Sequence, residues 1–233
     1  MNPIKENLKR VRENIARAAD KAGRNPAEIN LVCVTKSVGI PEIRELFQLG
    51  QRFIGENRVQ DARRKIAEIP SLGIEWHLIG HLQTNKVKLA LDLFQYFHAV
   101  DSLRLAEEIS KRAEALEIRV PLLIEVNVSG EGSKFGCPVE GTADCLGVYD
   151  LASQVSRLPG LDLQGLMTMA PFDQHENVVR PVFRRLREIR DEINSRSLTP
   201  KPLLELSMGM SGDYPIAVEE GATYVRIGTA LFE

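Results

Sequence analysis

Eight short β-rich runs that alternate with helical segments constrain the fold of this chain more than any other feature. The runs lie at residues 29–36, 52–57, 75–81, 96–102, 120–128, 161–169, 203–209 and 224–232. The helical segments between them lie at 41–49, 58–68, 84–93, 103–116, 138–157, 174–195 and 213–220. Strands joined by helices predict parallel pairing, and eight is the number that closes a (β/α)8 barrel. We therefore expect an α/β fold in the form of a TIM barrel.

A doubly wound open sheet is the competing architecture for the same pattern. That fold carries a GxGxxG fingerprint after its first strand, and no such motif follows residues 29–36. No Pro/Gly/Ser-rich linker, composition shift or low-complexity tract divides the chain. Residues 1–233 are therefore expected to form one domain, in which the helix near 213–220 is short for a barrel helix.

Residues 1–23 precede the first run and predict an additional helix. Apolar side chains recur there at helical spacing with charged residues between them, and Gly23 is placed to end the helix. The segment has no uninterrupted apolar stretch of the kind found in signal peptides. We expect this N-terminal helix to pack on the barrel.

Charge and cysteine content narrow the partners and the compartment. Thirty basic and thirty-two acidic side chains give a net charge of −2, which leaves no electrostatic footprint for nucleic acid or an anionic membrane. No stretch approaches the roughly 18 apolar residues of a membrane span. The three cysteines are odd in number and form no CxxC pair, which argues against a disulfide framework. A reduced, cytoplasmic setting is the expectation.

The barrel assignment draws attention to Lys36, at the end of the first run. Binding and catalytic residues of such barrels lie at the C-terminal ends of the strands. Val32, Val34 and Lys36 alternate onto one strand face, so Lys36 would point into the barrel mouth. Desolvation there would lower its pKa and free the amine as a nucleophile or Schiff-base partner. A lysine that extends into solvent from a strand end is the alternative, which Lys36 taken alone favours.

The end of the chain carries two glycine-containing elements at the seventh and eighth runs. LSMGMSGDY places Ser207 and Ser211 after the seventh run, and RIGTALF places Gly228 and Thr229 within or just after the eighth. Barrels often bind phosphate with these two loops and a short helix, because backbone N–H groups and hydroxyls surround the anion. Structural turns are the alternative for the glycines, and a helix cap is the alternative for Asp213. The position of both elements favours a phosphate site.

Seven motifs, taken together, resemble one protein family. They are VCVTK, FIGENRVQ, WHLIGHLQTNK, EVNVSGEGSKFG, GLMTMAP, LSMGMSGDY and VRIGTALF, in order over essentially the whole chain. These motifs are similar to those of the pyridoxal phosphate homeostasis proteins, the YggS/PROSC family. The resemblance implies a barrel of the alanine racemase N-terminal type that holds pyridoxal 5'-phosphate (PLP) as an internal aldimine.

The resemblance also implies the cofactor-binding residues. The Schiff-base lysine of the family falls on Lys36, and the arginine that faces the pyridine nitrogen falls on Arg226. The other implied contacts, to the phosphate or the pocket wall, are Asn57, Ser207, Met208, Ser211, Gly228 and Thr229. The chain departs from the pattern at Gly212, where an acidic residue is frequent, and in ending ALFE instead of ALFG.

Arg226 bears on the chemistry that such a cofactor would perform. Tyr224, Arg226 and Gly228 share a strand face, so Arg226 is expected in the same mouth as Lys36. A guanidinium is effectively always protonated, so it favours an unprotonated ring nitrogen and a weaker electron sink than an aspartate would. A core salt bridge with Glu205 is the alternative for this arginine.

Three functions fit these residues: a PLP-binding carrier, a PLP-dependent amino-acid racemase or related enzyme, and a barrel enzyme acting on a phosphorylated sugar. Racemisation needs a base on each face of the substrate. Racemases of this fold take the opposing base from a second domain, and this chain stops at Glu233. We therefore expect PLP homeostasis and delivery without substantial catalysis, by a monomer. PLP-dependent apo-enzymes are its candidate partners.

The remaining polar residues are assigned more simply. His77 and His81 share a strand face, but no third residue has metal-ligand spacing, so no metal site is expected. Hydrogen-bonded histidines are the expectation, with His81 also a pocket candidate. Lys134 is expected to be a solvated loop lysine, with a role near the site as the alternative that the family resemblance offers.

Overall fold

The computed structural model describes residues 3–70, 72–131, 135–143, 145–171 and 175–233, and its centre is a closed parallel β-barrel. The barrel strands are β1 (Asn30–Val34), β2 (Phe53–Glu56), β3 (Glu75–Leu78), β4 (Tyr96–Val100), β5 (Val120–Asn127), β7 (Leu161–Met167), β8 (Glu205–Ser207) and β9 (Tyr224–Ile227). They are ordered β4-β3-β2-β1-β9-β8-β7-β5, and pairing of β4 with β5 closes the ring. The expected (β/α)8 TIM barrel is confirmed.

Helices surround this barrel in the described parts of the chain. They are α1 (Pro3–Lys21), α2 (Ile40–Gln48), α3 (Val59–Glu68), α4 (Val87–Leu91), α5 (Leu103–Ala115), α6 (Val148–Val155), α7 (Glu176–Ser195), α8 (Tyr214–Glu219) and α9 (Thr229–Phe232). Short 3-10 helices occupy Pro26–Glu28 and Thr84–Lys86. The short helix expected near 213–220 is α8.

The additional N-terminal helix packs on the barrel as expected. Its buried stripe includes Ile4, Leu8, Val11 and Ile15, which belong to the core between helices and sheet. Side chains on the same helix bind the last two helices: Asn7 donates to the carbonyl of Leu231 at 3.1 Å, and Asn14 donates to the Tyr214 hydroxyl at 2.7 Å. Helix α1 therefore braces α8 and α9, which flank the proposed phosphate loops.

The helix expected at 138–157 is wrong over its first half. Strand β6 (Cys137–Pro138) pairs with the end of β5, and α6 starts only at Val148. A Cβ atom on Gly147 would lie 2.6 Å from the backbone nitrogen of Gly141, so two chain segments meet where a helix would have no room. In the described residues 139–143 and 145–147 the chain is therefore a loop and not a helix.

The strand expected at 224–232 is also shorter than the sequence suggested. Strand β9 ends at Ile227, and Gly228 has φ −118° and ψ −82°, which turns the chain out of the extended conformation. The amide of Leu231 then donates to the carbonyl of Gly228 at 2.8 Å as α9 forms. The last apolar run is a strand followed by a helix.

The barrel interior holds a small apolar cluster separate from the larger core outside the sheet. It contains Val32, Tyr96, Ala99, Leu123, Met167 and Tyr224. Cys33 belongs to the outer core, so the alternation expected for β1 is confirmed. Polar residues share this interior, and they build part of the site described below.

No helix in the described residues combines the length and the apolar character needed to cross a membrane. Within the same described ranges, no group of three His, Cys, Asp or Glu side chains is arranged to hold a metal ion. All three cysteines are free.

Candidate functional site

Lys36 lies at the C-terminal edge of the barrel, two residues beyond the end of β1. A turn carries it there, closed by the Val38 amide donating to the Thr35 carbonyl at 3.1 Å. Lys36 is exposed. The expectation that strand position alone would desolvate this amine is wrong, because β1 ends at Val34 and the turn lifts Lys36 past the packed interior.

A buried ion pair supports the residue that precedes Lys36. The Nζ atom of Lys65 lies 2.6 Å from the carbonyl oxygen of Thr35 and 2.6 Å from Oε1 of Glu56. The hydroxyl of Thr35 donates to the same Oε1 at 2.6 Å. Glu56 and Thr35 are fully buried, whereas the Lys65 side chain is 15% exposed. The charges of Lys65 and Glu56 therefore compensate each other beneath the Lys36 turn.

The loop after β8 is held in one conformation by its own side chains. Gly209 has φ +95°, and a Cβ atom there would lie 2.6 Å from Cβ of Ala217 on α8. Asp213 stands at the N-cap position of α8, but its side chain makes no capping hydrogen bond to that helix, and its carboxylate accepts instead from the Met210 amide in the preceding loop. Desolvation raises the pKa of this carboxyl above its usual value. The loop and α8 are thus packed together without room for a larger residue at 209.

The loop after β9 meets both the β8 loop and the end of β1. The Ser211 hydroxyl oxygen accepts from the Ala230 amide at 3.1 Å, which joins the two glycine-containing loops. A Cβ atom on Gly228 would lie 3.2 Å from the carbonyl oxygen of Val34. Gly228 is half-buried and Thr229 is exposed. The structure therefore brings the expected phosphate loops together, next to the strand that leads to Lys36.

Two of the residues implied as phosphate contacts are engaged elsewhere. The Ser207 hydroxyl is fully buried and lies 2.6 Å from an Arg226 nitrogen and 2.8 Å from His98 Nδ1. The Met208 side chain packs in the outer core, and its amide donates to the Tyr224 carbonyl at 3.1 Å. Ser207 therefore faces the barrel interior. The side chain and the amide of Met208 both have partners within the protein and are not available to a phosphate. Their phosphate contacts stay predictions, without support from this geometry.

Arg226 points into the barrel interior, on the β9 face that it shares with Tyr224. It stands opposite Val32 in the register between β9 and β1. One guanidinium nitrogen donates to Ser207, and the other donates to the carbonyl of Thr168 at 3.0 Å. The alternative pairing with Glu205 is not what the structure shows. Burial lowers the pKa of Arg226 to about 10, so it stays protonated at neutral pH.

The carboxyl of Glu125 also lies at this end of the barrel. Glu125 is 2% exposed and follows Leu123 on the inner face of β5. Desolvation raises its pKa to about 7, against the opposing effect of the Arg226 charge. Glu125 is therefore a proton-binding group that the sequence reasoning missed.

Asn57 and His81 lie on the rim formed by the next strands. Asn57 is half-buried just after β2, and a Cβ atom on Gly80 would lie 2.5 Å from its carbonyl oxygen. His81 Nδ1 is 3.1 Å from Oδ2 of Asp101, and its ring stacks on Phe135 with centroids 4.6 Å apart. Both residues line the same edge as Lys36. Lys134, which the resemblance placed near the site, lies outside the described residues.

Lys65 and His98 are two further residues at the site that the sequence did not predict. A lysine six residues into a helical segment carries no signal of its own, because only the fold brings it to Thr35. His98 did carry a signal, since it sits in the middle of the fourth β-rich run, where a buried histidine needs a partner. The identity of that partner depends on which strands face each other across the barrel.

The arrangement suits an aldehyde-bearing phosphate ligand with a polar ring. It combines a solvent-accessible amine, two joined glycine-containing loops at an adjacent strand end, and a buried cation in the interior beneath them. Backbone N–H groups at glycine turns bind phosphate, and an amine condenses with an aldehyde.

Comparisons with known proteins agree with this chemistry. The model of the alanine racemase N-terminal domain family matches residues 7–233. The pyridoxal phosphate homeostasis protein of Aquifex aeolicus (strain VF5) is 43% identical over 227 residues, which cover 97% of this chain and 96% of that protein. The pyridoxal phosphate homeostasis protein of Pseudomonas aeruginosa is 40% identical over 232 residues, which cover 100% of this chain and 96% of that protein.

A solved structure extends the likeness to three dimensions. PipY of Synechococcus elongatus PCC7942 with PLP bound matches with a TM-score of 0.80 and 33% sequence identity. The match covers 99% of this chain and 100% of PipY. The similarity therefore spans nearly the full length of both proteins.

Proposed function

Because the chain belongs to the alanine racemase N-terminal domain family and, within it, to the pyridoxal phosphate homeostasis proteins, we propose that it binds PLP and serves the homeostasis of this cofactor. The relatives that carry that name match this chain over almost their whole length, and the structure of PipY was solved with PLP bound. We propose Lys36 as the covalent anchor and the loops after β8 and β9 as the phosphate site.

The residues present fit such a cofactor. Gly228 is half-buried, so its backbone is accessible, and a Cβ atom there would approach Val34 to 3.2 Å, which favours a residue without a side chain. Thr229 is exposed beside it and offers a hydroxyl donor. Arg226 supplies donor nitrogens at the inner end of the same strand. The bound cofactor itself supplies an aldehyde that condenses with an amine, with loss of water, and an electron-withdrawing pyridine ring.

One observation carries the proposal: Arg226 lies on β9, Gly228 directly follows β9, and Lys36 follows β1, the strand that pairs directly with β9. Val32 is opposite Arg226 in their register, and Gly228 lies against Val34. Anchor, ring partner and phosphate loop are therefore neighbours at one barrel edge. The exposed position of Lys36 leaves its amine accessible to an incoming aldehyde and to water, which suits a protein that takes up and releases its cofactor.

We further propose that the protein contributes little catalysis. Arg226 stays protonated at neutral pH, since its lowered pKa is still about 10. It can donate to a ring nitrogen but cannot accept a proton from one, so the ring stays a weak electron sink. Turnover of alanine enantiomers above about 1 s⁻¹, within the usual range of enzymes, that is lost in Lys36→Ala would contradict this.

Titration of the purified protein with PLP, followed by visible absorbance, tests the binding. We expect a yellow band that saturates near one cofactor per chain. A band that grows without saturation, as for reaction with exposed lysines at random, would overturn the proposal.

Delivery is tested by mixing the loaded protein with a PLP-dependent apo-enzyme, which we propose as a partner class. Recovery of the enzyme's activity faster than with free PLP at the same measured free concentration supports delivery. Equal rates would restrict the role to buffering. The proposed monomer, acting in the cytoplasm, is tested by light scattering and cell fractionation.

A further inference from the structure

We propose that His98 is a positioning residue: it belongs to a directed chain of hydrogen bonds that runs through the barrel interior from Glu75 to Arg226 and fixes the guanidinium. The effect on the cofactor rests on the proposed function. The chain itself is a property of the protein alone. Its members are Glu75, His77, His98, Ser207 and Arg226.

Hydrogen bonds join four of these groups, and the fifth, Glu75, approaches the His77 end of the chain. Arg226 donates to Ser207 Oγ at 2.6 Å, and Ser207 Oγ lies 2.8 Å from His98 Nδ1. His98 Nε2 lies 2.8 Å from His77 Nδ1. His77 Nε2 in turn lies 3.3 Å from Oε1 of Glu75, an approach without the alignment of a full hydrogen bond.

The chain spans the barrel from its floor to its mouth. Glu75 is the first residue of β3, at the N-terminal end, and its side chain is 40% exposed. His77 and His98 are fully buried on adjacent strands β3 and β4. Ser207 is the last residue of β8, at the C-terminal end. One end of the chain therefore meets solvent beneath the barrel, and the other end lies at the proposed ring partner.

Aromatic rings enclose the two histidines. The His77 ring stacks on Tyr96 with centroids 5.1 Å apart and 11° between planes, and Phe53 lies 5.1 Å away. His98 meets the Tyr224 ring edge-on at 5.5 Å. Burial lowers the pKa of both histidines, that of His98 well below its usual value. Both rings are therefore neutral at physiological pH, and each carries a single N–H proton.

The two ends give the chain one direction. A guanidinium only donates and a carboxylate only accepts. Because Arg226 donates to the Ser207 oxygen, the hydroxyl proton is free to point at His98 Nδ1. His98 then donates from Nε2 to His77 Nδ1, which leaves the single proton of His77 on Nε2, facing Glu75. In this order the Ser207 hydroxyl proton and the His98 N–H proton each fill one hydrogen bond, and the His77 N–H proton faces the carboxylate of Glu75 at an Nε2–Oε1 distance of 3.3 Å.

The charged groups around the arginine agree with this direction. Glu125 and Asp213 both favour the charged form of Arg226, whereas its desolvation opposes it. In addition to burial, the neighbouring His77 ring and the positive charge of Arg226 lower the pKa of His98. A charged guanidinium and a neutral His98 are thus the stable pair.

The consequence is a fixed acceptor for the guanidinium. With its proton committed to His98, the Ser207 oxygen turns lone-pair density toward Arg226. Without His98 the hydroxyl can rotate, and among the described residues the Thr168 carbonyl is then the remaining fixed hydrogen-bond acceptor of the Arg226 guanidinium. A barrel interior packed with apolar residues would avoid the desolvation cost of these groups, which is why we assign them a positioning role.

The tautomers are measured by histidine side-chain 15N NMR on the PLP-free protein. We expect the proton on Nε2 of both His77 and His98 in the wild type. In the Glu75→Lys variant an ammonium donor replaces the carboxylate that faces His77 Nε2. That nitrogen should then become an acceptor, so the N–H proton of each ring should move to Nδ1. Protonation on Nδ1 in the wild type, or no change in the variant, would overturn the directed chain.

The effect on the cofactor is measured as the PLP dissociation constant, with Tyr96→Phe as the matched control. That control also removes a buried polar group from the same interior, because the Tyr96 hydroxyl donates to Gln164 at 2.6 Å and lies outside the chain. We expect His98→Phe to weaken PLP binding at least tenfold and Tyr96→Phe to change it less than twofold. Equal effects of the two would overturn the positioning role.

A second variant guards against misfolding of His98→Phe. In His98→Gln the amide can both accept from Ser207 and donate to His77, so we expect most of the wild-type affinity to return. Failure of this rescue in a folded protein contradicts the role. Absence of PLP binding by the wild type would instead remove the proposed function and leave the NMR result intact.

Discussion

The ammonium of Lys65 donates to the carbonyl oxygen of Thr35 at 2.6 Å, directly before the lysine proposed as cofactor anchor. The same Nζ atom lies 2.6 Å from the buried Glu56 carboxylate. One ammonium group therefore both binds the carbonyl at the end of β1 and neutralises a buried negative charge. Helix α3 thereby fixes the turn that presents Lys36. The Lys65–Glu56 salt bridge therefore supports the position of the proposed anchor as well as the stability of the fold.

The Lys65→Met variant tests this support. It leaves the Glu56 carboxylate buried without its partner, so we expect the free energy of unfolding to fall by about 3–5 kcal/mol. We also expect slower attachment of PLP, because the turn before Lys36 loses its anchor. Urea unfolding and stopped-flow absorbance measure the two effects.

Lys201→Met is the matched control for Lys65→Met. Lys201 is 75% exposed and lies 3.9 Å from Asp162, so its removal should change stability by no more than about 0.5 kcal/mol. A Lys65→Met protein as stable as this control would show that the ion pair does not support the β1 end.

Gly209→Ala tests the packing of the β8 loop. Gly209 has φ +95°, and an added Cβ atom would lie 2.6 Å from Ala217 Cβ and 2.9 Å from Tyr214 Cα. We expect a loss of about 1–3 kcal/mol in stability and at least tenfold weaker PLP binding. Gly212→Ala, where an added Cβ meets no atom within 4 Å, should leave both quantities nearly unchanged. Similar affinities for the two variants would separate this loop from the phosphate site.

Glu125→Gln tests the buried carboxyl through the pH dependence of stability. Burial raises the pKa of Glu125 from 4.5 to about 7, so the folded protein binds this proton more tightly than the unfolded chain. Its contribution to stability is full below about pH 4.5 and is lost as the pH rises through 7. Relative to the wild type, Glu125→Gln should therefore gain about 1–3 kcal/mol between pH 4.5 and 7.5.

The exposed Glu107→Gln variant is the control for Glu125→Gln. Its stability relative to the wild type should stay flat within about 0.5 kcal/mol across the same pH range. If the Glu125→Gln difference is equally flat, the carboxyl is ionised in the folded protein and the proposed proton site is refuted.

The barrel was predictable from the sequence because its evidence is periodic and local. Eight β-rich runs separated by helices allow few architectures, and the inward position of Arg226 followed from strand alternation alone. The two glycine-containing loops also fell where barrels of this kind bind phosphate. Their contact through Ser211 and Ala230 confirms that both loops meet.

Other features of the fold and of the site depend on contacts between distant parts of the chain, which sequence spacing does not reveal. The exposure of Lys36 follows from where β1 ends, and a difference of two residues there decides whether the amine is buried. The absence of helix in the described residues 139–143 and 145–147 follows from the close approach of Gly141 and Gly147. The sequence predicts Ser207 as a phosphate contact from its place after the seventh run and from the family resemblance. Its contact with His98 could not be predicted, because these residues are 109 positions apart along the chain and become neighbours only when the barrel closes.

The central claim is that Lys36 is the covalent anchor of PLP. The most direct measurement is borohydride reduction of the loaded protein, followed by mass spectrometry of its peptides. We expect one reduced cofactor per chain, on the peptide with Lys36, and its loss in Lys36→Ala while Lys201→Ala retains it. Cofactor on another lysine in the wild type, or an undiminished yield in Lys36→Ala, would contradict the account.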